Sequence, residues 1–168
     1  QIHTSKKYAD MTPMDIYNYS ASTDLGIGLG RSFGPISTSA LITNGGGYKK
    51  AETDSHKKIS FHTVYGESKL NKNDGYNIGA SFSYEPYDQG IIGDFDNDPN
   101  TTTPEDSTMI SVESARVFGL FGGYSDHKIR VGLEFDKKGI KAQNSQIISS
   151  YGTFKVSDKI SVLGRIDQ

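Results

Sequence analysis

The sequence predicts an all-β protein, an antiparallel up-and-down barrel that crosses a membrane with strands. Three observations lead there. In Tyr76–Glu85 every even position is apolar, aromatic or Ala and every odd position is small or polar, so a strand here has one greasy and one wet side. Tyr76 and Tyr84 end the apolar row, and about ten residues with aromatic ends suit a bilayer-crossing strand. The same design recurs along the chain, giving about eight strands joined by connections that alternate between short and long.

Composition agrees. Only 34% of the 168 residues are hydrophobic, yet Gly, Ser and Tyr are abundant, as expected when half of each strand faces lipid and half faces water. No run approaches the roughly 18 apolar residues of a membrane helix. The absence of cysteine excludes a disulfide-stapled domain and thiolate metal sites. A formal net charge of −2 without a basic stripe argues against nucleic acid as a partner. The chain opens with Gln1 and shows no charged-then-apolar leader, so a mature form or an internal piece is expected.

The elements follow in order within one domain, 1–168. Residues 1–19 are polar, contain Pro13 and read as a leading loop. The first strand is placed at about 20–31, with Ala21, Thr23, Leu25, Ile27 and Leu29 on one side and Ser22, Asp24, Gly26, Gly28 and Gly30 on the other. Ser32–Pro35 turns the chain into a second strand at 36–44. Ile59, Phe61, Thr63 and Tyr65 oppose Ser60, His62 and Val64 in a third, 58–67, and the fourth is 76–85. A polar loop runs from Pro86 to about Ser107.

In the fifth strand, 112–124, Val117 and Phe121 compete with Phe118 and Leu120 for the greasy face. The even set is preferred because it brings Tyr124 to a boundary, although it puts Arg116 outside, near the membrane rim. The sixth, 128–136, sets Ile129, Val131, Leu133 and Phe135 against Arg130, Gly132, Glu134 and Asp136. Lys137–Ser145 reads as a polar loop, and the last two strands are 146–155 and 160–167.

Ile42–Tyr48, Gly122–Phe135 and Phe154–Asp167 resemble Gram-negative outer-membrane porins, especially the phosphate-selective porin-like group. That resemblance implies a trimer of sixteen- to eighteen-stranded barrels in the cell outer membrane, in contact with lipid and lipopolysaccharide, passing small solutes or ions. The chain holds about half that number of strands and stops at Asp167-Gln168 rather than at the usual terminal aromatic strand, so part of a larger barrel is expected. A closed eight-stranded barrel with a structural or adhesive role is the alternative. A soluble secreted barrel with its apolar rows turned inward around a small apolar ligand is another.

If the polar rows face a lumen, Asp24, His62, Glu85, Arg130, Glu134, Asp136, Lys155, Arg165 and Asp167 line it, and wall charges are how pores select ions. Both signs occur, so the basic ladder of the phosphate-selective group has no counterpart here, and cross-strand ion pairing is the plainer role for these residues. Asp94, Asp96 and Asp98, with Glu105 at the twelfth place from Asp94, have the ligand spacing of a calcium loop. Pro99 stands where that loop requires Gly, which leaves an acidic, solvated outer loop as the other reading. No other cofactor is expected.

Gly30-Arg31-Ser32-Phe33-Gly34 matches a hydrolase nucleophile elbow, but Pro35 and a renewed period of two follow where a helix is needed. His3, His56, His62 and His127 fall in separate elements. The chain is therefore not expected to be an enzyme.

Overall fold

The computed structural model describes Met14, Tyr17, Tyr19 and residues 25–45, 56–91, 110–141, 143–157 and 159–168. Eight strands form one antiparallel sheet: β1 (Gly26–Phe33), β2 (Ile36–Thr43), β3 (Lys58–Gly66), β4 (Gly75–Ile91), β5 (Ile110–Ser125), β6 (Ile129–Ile140), β7 (Gln143–Lys155) and β8 (Ser161–Asp167). They lie side by side in chain order, each paired with its sequence neighbours. The eight strands do not close into a barrel, the arrangement held as the alternative: among the described residues β1 pairs only with β2 and β8 only with β7, so the sheet is open.

The cross-strand registers carry the alternation of single strands across the whole sheet. One row runs Ile36, Tyr65, Ile78, Gly122, Leu133, Ser150, Ile166. The adjoining row on the opposite face runs Ser37, Val64, Gly79, Phe121, Glu134, Ser149, Asp167. Because a slip of one residue would swap the faces, these registers keep every apolar row on one side.

Burial is the reverse of a water-soluble sheet. The apolar face is open, with Leu29 79%, Ile78 62%, Leu133 65% and Ile166 74% exposed. The polar face holds the buried residues: Val64, Val117, Asp136, Ile147, Ser149, Tyr151 and Thr153. Part of that burial comes from Tyr19, which packs on Val117 and Ile147 with Met14 beside it. Phe118 and Leu120 are exposed and Val117 is buried, so β5 presents its even set outward.

Several boundaries differ from expectation: β1 begins at Gly26, after Leu25, and runs on through Phe33, and β5 already begins at Ile110. The region read as a loop from Lys137 is strand as far as Ile140, with β7 resuming at Gln143. Lys141 at φ 57° makes that a tight hairpin, so the connections do not alternate strictly in length. Lys137 and Lys138 point to opposite faces of a strand, and their charge had suggested a loop. β4 continues through Pro86 to Ile91, paired with β5 apart from a register shift between Asp88 and Ile91. These hairpins run past the roughly 9–11 residues that a bilayer requires.

The other end is tightly turned. Gly34, at φ 56°, supplies the left-handed residue of the β1–β2 hairpin. Gly66, at φ 98°, approaches β4 so closely that a Cβ there would lie 2.3 Å from the carbonyl oxygen of Tyr76. Between β3 and β4 the chain coils, with Asn73 donating its backbone N–H to the Lys69 carbonyl at 3.0 Å. That coil folds Leu70 to 4% exposure.

Candidate functional site: the polar inner wall

The polar face forms a wall whose small residues make room for large ones. A Cβ on Gly79 would lie 2.3 Å from Cζ of Phe121, and one on Gly119 would lie 2.6 Å from both Asp136 Oδ1 and Ser81 Oγ. Each of these glycines is the direct cross-strand partner of the residue whose side chain fills its space. Side chains therefore lie along the wall.

Near the end carrying the longer loops, Lys58 Nζ is 3.2 Å from Glu85 Oε2. Lys138 Nζ lies 5.5 Å from the centroid of the Tyr19 ring, a cation over an aromatic face. Tyr19 is 6% exposed and packs against Val117 on β5 and Ile147 on β7, with Met14 beside it. The Tyr19 backbone N–H donates to the Met14 carbonyl at 2.7 Å, closing a turn. Tyr19 and Met14 thus touch the polar face of the sheet. Burying two such aliphatic side chains is worth about 1.5–3 kcal/mol each.

Around the middle of β6 to β8 the charges condense. Arg165 Nε is 2.9 Å from both carboxylate oxygens of Asp167. Arg165 Nη2 makes a further charged contact, and Ser149 donates its hydroxyl to Asp167 Oδ1. Glu134 and Asp136 lie two apart on the same face of β6. Asp136 is 1% exposed, and its Oδ2 has no hydrogen-bond partner. Toward the short turns, Arg130 Nε donates to Ser125 Oγ at 3.2 Å. The His62 ring stacks on Phe121 with centroids 5.3 Å apart.

Of the residues expected to line a lumen, Glu134, Asp136, Arg165 and Asp167 come together. Glu85 pairs with Lys58 and Arg130 with Ser125, His62 lies against Phe121, and Lys155 is exposed close to a turn. Asp24 lies outside the described residues, as do Asp94, Asp96, Asp98 and Glu105 of the calcium-loop spacing. Among the described residues no group of three or more His, Cys, Asp or Glu side chains could hold a metal ion. Gly30–Gly34 runs from β1 into its hairpin, with Ser32 Oγ 3.0 Å from Ser37 Oγ.

Two wall residues escaped the sequence reading. Lys58 shares the parity of Ser60 and His62 and was legible from it, whereas Lys138 fell in the region read as a loop. Tyr19 carried no signal, because nothing in a polar leading segment says which side of the sheet it will meet.

On the outer face, Tyr65, Tyr76 and Tyr124 gather near the short turns, and Tyr76 and Tyr124 are cross-strand partners. Tyr84 lies at the opposite end of the β4 apolar row with the Arg116 guanidinium 5.8 Å from its ring centroid. Eight residue steps separate Tyr76 from Tyr84, about 26 Å along the strand. No helix among the described residues is long and apolar enough to cross a membrane, a test that does not address crossing by strands.

No protein-family model, no curated protein and no solved structure matches the chain.

Proposed function

We propose that this sheet is wall from an outer-membrane porin, with its apolar face against lipid and its polar face toward a water-filled lumen through which small hydrophilic solutes or ions diffuse. One observation carries the reading: the exposed face is the apolar one, continuous across the strands, while the protected face holds the charges, hydroxyls and glycines. Apolar patches of this extent mark contact with a membrane or another protein. The aromatic residues at both ends of the β4 apolar row support the membrane, since barrel strands carry such girdles at both interfaces.

Open sheet edges are not stable in hydrocarbon, so β1 and β8 pair with further strands to complete the barrel. Eight strands alone would enclose a space filled by side chains, whereas a larger barrel leaves a channel. Solutes would be sorted by pore width and wall charge. The two signs along this wall favour no phosphate preference. Planar-bilayer recording from the folded full-length protein tests the proposal: discrete conductance steps are expected, and a folded, inserted protein that never conducts overturns it.

A further inference from the structure

The connection between β3 and β4 is longer than two antiparallel strands need. A two-residue turn suffices for a hairpin, and Gly34 and Pro35 provide one between β1 and β2, yet residues 67–74 lie between Gly66 and Gly75. They coil: the backbone N–H groups of Lys72 and Asn73 donate to the Lys69 carbonyl at 2.8 and 3.0 Å. The Glu67 carboxylate accepts the Lys69 backbone N–H at 2.8 Å and closes the start of the coil.

That coil is folded onto the polar face. Asn77, Gly123 and Gly132 stand in one row of that face, and Asn77 Nδ2 donates to the Glu67 carbonyl at 2.9 Å. Leu70 reaches over the same row, since a Cβ on Gly123 would lie 3.1 Å from Leu70 Cδ1. A leucine held at 4% exposure on a face of charges and hydroxyls is an anchor, because releasing the coil would return its apolar surface to water. Lys69, Lys72, Asn73 and Asp74 of the same coil are exposed. The coil therefore has one side fixed to the wall and one side in water.

We propose that the β3–β4 coil is a strap that narrows the lumen at its short-turn mouth, pinned to the wall by Leu70 in the space above Gly123 and by the Asn77 bond. The width of the path and the groups along it decide what passes a pore, so this strap sets a size limit at the opposite end of the wall from Tyr19. This inference rests on the porin reading above.

The test is the single-channel conductance of the folded full-length protein in a planar bilayer. Leu70→Ser removes the anchor from a residue outside the strand ladders; it should raise conductance and let larger neutral polyethylene glycols enter the lumen than wild type admits. Because the chain contains no cysteine, Lys72→Cys places one thiol on the exposed side of the coil with the anchor intact. Its reaction with a bulky maleimide should lower conductance stepwise, while wild type treated alike is unchanged. A folded Leu70→Ser protein with wild-type conductance and polymer cut-off, or a fully labelled Lys72→Cys protein that conducts as it did before labelling, overturns the strap and leaves the pore standing. Absence of any conductance from folded wild type removes the porin reading itself.

Discussion

The ring of Tyr151 occupies the space that a side chain on Gly132 would need: a Cβ at Gly132 would lie 2.4 Å from Cε1 and 2.5 Å from Cζ and Oη. The two residues are direct partners across β6 and β7, on the polar face. Gly132 thus lets Tyr151 lie along the wall at 7% exposure.

Gly132→Val should accordingly displace the ring and cost about 1–3 kcal/mol, the usual range for overpacking a filled site. Gly164 offers the control, because a Cβ there meets nothing within 4 Å, and Gly164→Ala should change stability by less than about 0.5 kcal/mol. Urea unfolding in detergent followed by circular dichroism measures both. Equal effects at the two positions would show that Tyr151 does not depend on the missing side chain.

A charge on the outer face should cost far more than one on the wall. Ile78→Arg, in the middle of the apolar row, should lower folding stability in lipid vesicles by about 2–4 kcal/mol, the range measured for charge at a bilayer midplane. Ser39→Lys, facing the polar side, should cost less than about 1 kcal/mol. If both substitutions cost alike, the outer face does not meet lipid.

The legible part of this fold was what a period of two can encode. Ile129, Val131 and Leu133 alternate with Arg130, Gly132 and Glu134 without exception, so the β6 face could be read directly. Val117 and Phe121 show the limit: both are apolar yet point to the polar side, where Val117 packs on Tyr19 and Phe121 on His62. Lys137 and Lys138 obscured the end of β6, because adjacent charges resemble a loop until their opposite directions are known. The period of two already puts Glu134 with Asp136 and Arg165 with Asp167 on one face, but setting Glu134, Ser149 and Asp167 in one row required the registers across β7, which strand periodicity alone does not supply.

On the proposed porin reading, Tyr19 should narrow the solute path. Its ring packs on Val117 and Ile147 beneath Lys138, so Tyr19→Ala removes a buried aromatic anchor at a cost of up to about 3–5 kcal/mol locally. Because the anchor lies on the side where solute would pass, the variant should show larger single-channel conductance than wild type. Tyr17, 46% exposed, is the comparison, and Tyr17→Ala should cost less. Unchanged conductance in a folded Tyr19→Ala protein would place the leading segment outside the ion path.

Asp126 should set the acid limit of the β5–β6 turn. Its Oδ1 accepts the backbone N–H groups of Lys128 and Ile129, each at 2.7 Å. These two bonds, that from Ile129 foremost, hold the carboxyl below the usual aspartate value. A carboxyl whose pKa is lower when folded than when unfolded contributes stability that is present above the unfolded value, near pH 3.8, and is lost as pH falls through the folded one. Asp126→Ala should therefore reduce stability at neutral pH and narrow its difference from wild type under strong acid. Asp126→Asn, which keeps an acceptor oxygen, should retain most of the turn while abolishing this component of the pH dependence. Urea midpoints for the three proteins across that acid range give the answer, and a wild-type to Asp126→Ala gap that persists unchanged into strong acid would show that the ionised carboxylate is not what holds the turn.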